Sequence, residues 1–593
     1  MTIALPGIPE PQSSVRSAGL GLAQPVFFDG LAGMHHAASG DTAVLFVSPW
    51  GFEELCARTT YRRLAERLAA LGYPCLRFDL PGTCHSAHAS SEVEADDAWR
   101  KAVLAAFDHL QALSGAREII VIGQGAGALL AGFLAQERPV DGLVLLGPAA
   151  QGRAYLREVA AWTAMTKPEF RVGSTDGPEG GVMSGGFVLS AATANEIKRL
   201  KLLDAPPLRT RRILLTTRPD HPGDAKLAAE LSETAIPTDT VSFADYADYV
   251  SSAILSAFPE KTVEAVVSWL VQHFPPQPGA DALPRPAPQV AVFDGDGYRE
   301  QFFRFGPNDR FFGVLTAPAD RAATTAMLIL STGADHSSGW GRSAVDLARD
   351  MARKGFAVMR TDLAGVGETP SLPGQAGPVM YTAGASDDVT KALDWLVSQA
   401  GIEKVILVGR CSGAYSAFIS AASDTRVAGA FLVNVRTLHW DPDLDVFQVI
   451  REPTEPLDTY KKNLADPRQL KRILSGELKI STIVRKLSKT LGAIAERKLA
   501  PVLRSRSKHF RFTTIVRDRL KALKARNVAV AFVYSQGDPG LFDLYTWLGP
   551  NARNLPAYPN LRLVVIEDAD HNLTPLPVRA EATRALLDFA RSI

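Results

Sequence analysis

The chain has 593 residues, of which 46% are hydrophobic and 21% charged. That length holds two to four domains at about 150 residues each, and the balance excludes both a mostly disordered chain and a multi-span membrane protein. With 64 Lys and Arg against 63 Asp and Glu, a protein that is basic all over, such as a general nucleic-acid binder, is excluded as well.

Residues 1–23 read as a tail. Its opening, MTIALPGIPEPQSSVRSAG, lacks a positively charged start before an apolar run, so no signal peptide is expected. Residues 24–49 read as a hairpin-like lead-in to a buried strand ending near Val47. An amphipathic helix through Arg62-Arg63-Leu64-Ala65 follows, then a strand closing on Asp79-Leu80-Pro81-Gly82-Thr83. Ile119 to Ala135 runs 17 residues without a charge. Its β-branched front, Gly-rich centre and helix-like rear predict a buried strand turning into a buried helix rather than a membrane span. Residues 151–208 read as a cap on this unit, which extends over 24–274.

Residues 275–289 run from Pro275-Pro276 through Pro284-Arg285-Pro286-Ala287-Pro288. A stretch this rich in proline joins no sheet and makes a semi-rigid spacer. Beyond it the chain repeats itself over 290–593. Ala43-Val44-Leu45-Phe46 matches Ala326-Met327-Leu328-Ile329. The segment ending at Asp79-Leu80 matches that ending at Asp362-Leu363, and EIIVIGQGAGALLAG matches KVILVGRCSGAYSAF. Strands alternating with helices at this spacing predict a parallel sheet in each copy. An antiparallel hairpin, VAVFDGDGYREQFFRFGPNDRFFGVLTAP, leads into the second.

The second copy carries the chemistry. Strand Val405-Ile406-Leu407-Val408 runs into Gly409-Arg410-Cys411-Ser412-Gly413, a nucleophile elbow with Cys at its centre. The central residue sits on a strained strand-to-helix turn, and the helix N-terminus beneath it favours a thiolate. The acid and base of such a site follow later strands. Asp538 follows the strand at 528–534 and His571 the strand at 561–566. Cys411, Asp538 and His571 are therefore the expected nucleophile, acid and base, with Asp543 or Asp568 as alternative acids. The oxyanion donors are expected to be the amides of Ser412 and Ala334. His336, in the same loop as Ala334, is expected to form a wall or touch substrate. In the first copy the elbow is Gly123-Gln124-Gly125-Ala126-Gly127, and Phe243-Ala244-Asp245-Tyr246 stands where a histidine belongs. That copy is expected to be structural or regulatory.

A helical insertion at about 437–526 occupies the place of a cap over the second copy. From Lys461 to Arg526 it has 20 Lys and Arg against four acids, a net +16. Ile480, Ile483, Val484, Leu487, Leu491, Ile494 and Leu499 form one apolar helical stripe within it. The basic face suits an anionic partner: a carrier protein, a CoA thioester, a sugar phosphate or polyanionic glycan, or an anionic membrane surface. Four cysteines without metal-ligand spacing point to a reducing cytoplasm, and no metal or cofactor is expected.

The elbow, the Asp and His loops and the two Asp-Leu turns resemble the α/β-hydrolase superfamily over nearly all of both copies. The resemblance implies two tandem α/β-hydrolase domains, each a mostly parallel sheet flanked by helices, with a helical cap insertion. The Cys411/Asp538/His571 set is similar to that of dienelactone hydrolases. Gly409 to Tyr415, with Gly537-Asp538-Pro539-Gly540-Leu541, resembles peptidase-S33-like "serine aminopeptidase" hydrolases of bacterial exopolysaccharide gene neighbourhoods, as does Phe52-Glu53-Glu54-Leu55-Cys56 of the first copy. Together these imply an acyl hydrolase or acyltransferase using a cysteine acyl-enzyme on an ester or thioester, carrier-protein- and CoA-linked donors included, in polysaccharide or natural-product acyl metabolism. The alternatives are a non-catalytic double-hydrolase scaffold in a polysaccharide or natural-product assembly and a membrane-surface protein.

Overall fold

The computed structural model describes residues 22–89, 92–95, 97–166, 178–204, 206–251, 253–277, 290–375, 379–399, 401–451 and 507–593. Each copy builds one sheet. In the first, eight strands lie in the order Gln24–Phe28, Leu31–His36, Cys75–Phe78, Thr42–Val47, Glu118–Gln124, Val140–Leu146, Thr210–Thr217, Thr238–Ser242. The leading pair is antiparallel and the rest run parallel from Cys75–Phe78 onward.

The second sheet has nine strands: Ala291–Gly295, Tyr298–Phe305, Phe311–Pro318, Ala357–Thr361, Thr325–Leu330, Lys404–Arg410, Val427–Val433, Ala529–Ser535 and Leu561–Ile566. The expected hairpin at its start is a three-stranded meander, because Gly306 at φ 74 opens a second reversal before Phe311. From Ala357–Thr361 onward the strands are parallel. Central strands such as Thr42–Val47 are buried along their whole length. Helices cover both faces, so the strands read as continuous apolar runs rather than as alternation. These are two α/β-hydrolase domains in tandem.

The uncharged stretch Ile119 to Ala135 is strand Glu118–Gln124 turning into the buried helix Ala126–Glu137. No helix among the described residues is long and apolar enough to cross a membrane. Over the first sheet lie helix Gly152–Thr166, a hairpin of Val182–Ser184 with Phe187–Leu189, and helix Ala191–Arg199. Of the basic insertion, residues 452–506 with the stripe Ile480 to Leu499 lie outside the described residues. Its far end is helix Lys508–Ala525, which buries Val516, Leu520 and Leu523 and packs on the elbow helix Cys411–Ser423.

The two halves pack against each other through their antiparallel lead-ins. Phe27 stacks on Phe293 at 4.7 Å, within a buried cluster of Ala23, Ala32 and Met34 with Ala291, Phe302, Phe312 and Val314. Beside it the two Asp-Leu turns face one another. Arg77, two residues before Asp79, pairs with Glu368 of the other half at 2.6 Å, both side chains 3% exposed. Its repeat counterpart Arg360, two before Asp362, lies 2.9 Å from His85 Nδ1 and 2.7 Å from Glu300. Such pairs contribute little net stability, but stranding one partner costs several kcal/mol, so they enforce one docking geometry.

Candidate active site

Strand Lys404–Arg410 passes directly into helix Cys411–Ser423, and the junction is the elbow. Cys411 has φ 51, left-handed backbone that costs a residue with a Cβ about 1–2 kcal/mol. The turn leaves no room for side chains at its flanks. A Cβ on Gly409 would lie 2.4 Å from the Gly413 backbone, and one on Gly413 would lie 2.9 Å from Ser331 O.

His571 follows strand Leu561–Ile566 and sets Nδ1 2.6 Å from Asp538 Oδ2. The other oxygen of Asp538 accepts from Gly540 N at 2.7 Å, capping helix Pro539–Leu548 and fixing the carboxylate. The His571 imidazole lies close enough to Cys411 for each to act on the other's charge. Burial opposes a thiolate, but His571 outweighs it and brings Cys411 down from 9.0 to about 7. Burial opposes the imidazolium too, yet Cys411 and Asp538 raise His571 to about 9. A thiolate–imidazolium pair is thus favoured between those values, and it titrates as a unit. The alternative acids lie elsewhere: Asp543 accepts from Trp547 Nε1 at 2.7 Å, and Asp568 sits exposed in a turn.

Ser412 is the second residue of the elbow helix, where backbone N–H groups have no intrahelical partner. Its hydroxyl accepts from Gly333 N at 2.8 Å, so the amide of Gly333 is occupied. The next amide, that of Ala334, donates to no described residue. His336 borders the cavity beside Arg410 and Asn572 but is otherwise enclosed. It is 3% exposed, and its Nε2 lies 3.1 Å from Glu54 Oε2 of the first half, which packs over this loop.

Four residues that sequence reasoning passed over complete the site. Arg410 binds both Asp335 of the Ala334 loop and Asn572 beside His571, tying three loops together. Asn434 Nδ2 donates to His571 O at 2.9 Å and to Ser535 Oγ at 2.9 Å. Its place directly after a strand was the available signal. Tyr381 sets its hydroxyl 3.9 Å from Cys411 Sγ and stacks on Trp440 at 4.3 Å. Arg436, half-buried, makes no hydrogen bond or ion pair with any described residue, and its charge helps to hold the Cys411 thiol down.

The first half repeats the frame without the chemistry. Gly125 keeps the elbow conformation at φ 53, but a Cβ there would lie 2.1 Å from Glu53 Oε2. The Glu53 carboxylate fills the nucleophile's place, accepting from Gln124 Nε2 at 2.8 Å and Tyr246 OH at 3.3 Å. Arg218, in the loop matching that of Asp538, is bound to Asp224 and Glu158 at 2.7 and 2.9 Å, and Asp220 is exposed.

In comparison with protein families, residues 42–217 match serine aminopeptidase, S33, and residues 325–574 match the alpha/beta hydrolase fold. An esterase of Pyrococcus furiosus is similar at 12% identity over 50% of this chain and 91% of its own, with a TM-score of 0.31. A hypothetical protein of Pseudomonas aeruginosa is 16% identical over 50% and 95%, also at 0.31. A cold-adapted esterase from an Arctic intertidal metagenomic library is 15% identical over 50% and 95%, at 0.28. No curated protein matches the chain.

Proposed function

We propose that this double α/β hydrolase cleaves or transfers an acyl group through a thioester on Cys411. The observation that carries the reading is His571, placed between Asp538 at 2.6 Å and the thiol at the elbow. The Cys411 thiolate attacks the carbonyl of an ester or thioester, and the amides of Ser412 and Ala334 receive the oxyanion. Each such donor typically contributes about 3 kcal/mol. His571 protonates the leaving group as the acyl-enzyme forms. It then takes a proton from water, or from an acceptor hydroxyl or amine, in the second half-reaction, while Asp538 holds the imidazole tautomer.

A thiolate with a depressed pKa is suited to thioesters and activated esters. Arg436 beside it and the basic helix Lys508–Ala525 favour a donor that carries negative charge, as a carrier-protein or CoA thioester does. The acceptor side, and with it a role in polysaccharide or natural-product acylation, is the wider part of this reading. The four free cysteines fit a reducing cytoplasm. The first half, its elbow filled by Glu53, serves as a structural partner.

The test is steady-state turnover of short acyl thioesters and p-nitrophenyl esters by the full chain and by Cys411→Ala. Turnover lost in the variant is expected. Turnover retained overturns the assignment and leaves a scaffold role.

A further inference from the structure

Glu54 on helix Phe52–Ala70, Cys84 in the turn after Asp79, and His336 in the loop after Thr325–Leu330 come from both halves. They meet in the interface. One ligand atom from each lies within 4.8 Å of the others, and all three residues are buried. None of them belongs to the catalytic set. We propose that they form a metal site, with the chemistry of Zn²⁺, that fastens the first half to the loop carrying Ala334.

The donor set is one thiolate, one imidazole and one carboxylate, which suits zinc with three protein ligands and a fourth position for water. Glu54 and Cys84, on the side away from His336, border a cavity of about 30 Å³, where one water needs about 10–15 Å³. The surroundings orient each ligand as outer-shell groups orient metal ligands. His336 Nδ1 lies 3.0 Å from Ser338 Oγ, so with that nitrogen protonated the lone pair of Nε2 faces Glu54. Arg58 Nε donates to Glu54 Oε1 at 2.7 Å, leaving Oε2 for the metal, and Asp79 neutralises Arg58 at 2.6 Å.

The backbone of Cys84 points the same way. It has φ 41, a conformation that costs about 1–2 kcal/mol in any residue with a Cβ. The matching residue of the second copy is Gly367, at φ 49. A cysteine thus stands where the repeat uses glycine, and strain of this kind is characteristic of functional positions.

The experiment uses the full chain, stripped with a chelator and titrated with Co²⁺, then with Zn²⁺. One Co²⁺ per chain is expected, with intense visible bands of tetrahedral cobalt and a near-ultraviolet thiolate-to-cobalt band, both removed by Zn²⁺. The bands should persist in Cys411→Ala, which excludes the Cys411–His571 pair as their source. They should disappear in Cys84→Ser and in Cys84→Gly. The glycine variant adopts the backbone of Gly367 without strain and so separates loss of a ligand from loss of the fold. A chain that shows no thiolate-to-cobalt band, or one that survives Cys84→Gly, overturns the proposal. Neither result bears on the acyl-enzyme reading.

Discussion

Replacing His571 by alanine removes the cation that holds the Cys411 thiol down. In the intact protein the thiol titrates at about 7, so about half of it is thiolate at pH 7. Without His571, burial becomes the larger influence and returns the thiol to 9.0 or above. At pH 7 that leaves about one part in a hundred ionised, a loss of roughly 50-fold or more. Iodoacetamide reacts with the thiolate, so alkylation of Cys411, read by peptide mass spectrometry across pH, reports this directly. The background is favourable: burial pushes the Cys56 thiol up to about 12, and it pushes Cys75 and Cys84 upward too. The expected outcome for His571→Ala is a midpoint moved from about 7 to 9 or beyond, with the rate at pH 7 down by the same factor. A midpoint that stays near 7 refutes the pairing.

Acyl-enzyme formation should be bell-shaped in pH, rising through about 7 as the thiolate forms and falling through about 9 as His571 loses its proton; a stopped-flow profile with p-nitrophenyl acetate checks it. Asp538→Asn leaves a hydrogen-bonding group but misorients the imidazole, and kcat should fall about 10²–10⁴-fold with KM little changed. Glu368→Gln strands Arg77 in the interface and should cost about 3–5 kcal/mol in urea unfolding. Acid should loosen the same interface. The Glu54 carboxyl is raised by its burial but lowered more by Arg58 and His336, to about 2. Its contribution is therefore present above the ordinary 4.5 and lost as pH falls toward 2, and scanning calorimetry from pH 6 to 3 should show a falling midpoint.

The fold was legible because the chain states it twice. Matching strand, helix and Asp-Leu turn in each copy pointed to a parallel sheet in both, and the Gly-x-Cys-x-Gly spacing pointed to the elbow, since its glycines answer to local backbone distances. That Cys411, Asp538 and His571 would come together was legible for a related reason: each follows the carboxyl end of a strand in one parallel sheet. What escaped was pairing between distant segments. Nothing near Arg77 announces Glu368, and nothing near His336 announces Glu54, because each partner lies in the other half of the chain. The same separation hides Glu54, Cys84 and His336 from any reading of ligand spacing. Tyr381 and Arg436 were missed because loops carry no periodicity to place a side chain over a nucleophile.

The central claim is a covalent acyl-enzyme on Cys411. Intact-mass and peptide mass spectrometry of the full chain, quenched in acid during turnover of an acetyl thioester, tests it most directly. One acetyl group on the peptide containing Cys411, absent in Cys411→Ala, is the predicted result. Continued turnover with Cys411 unmodified, and undiminished in Cys411→Ala, would contradict it.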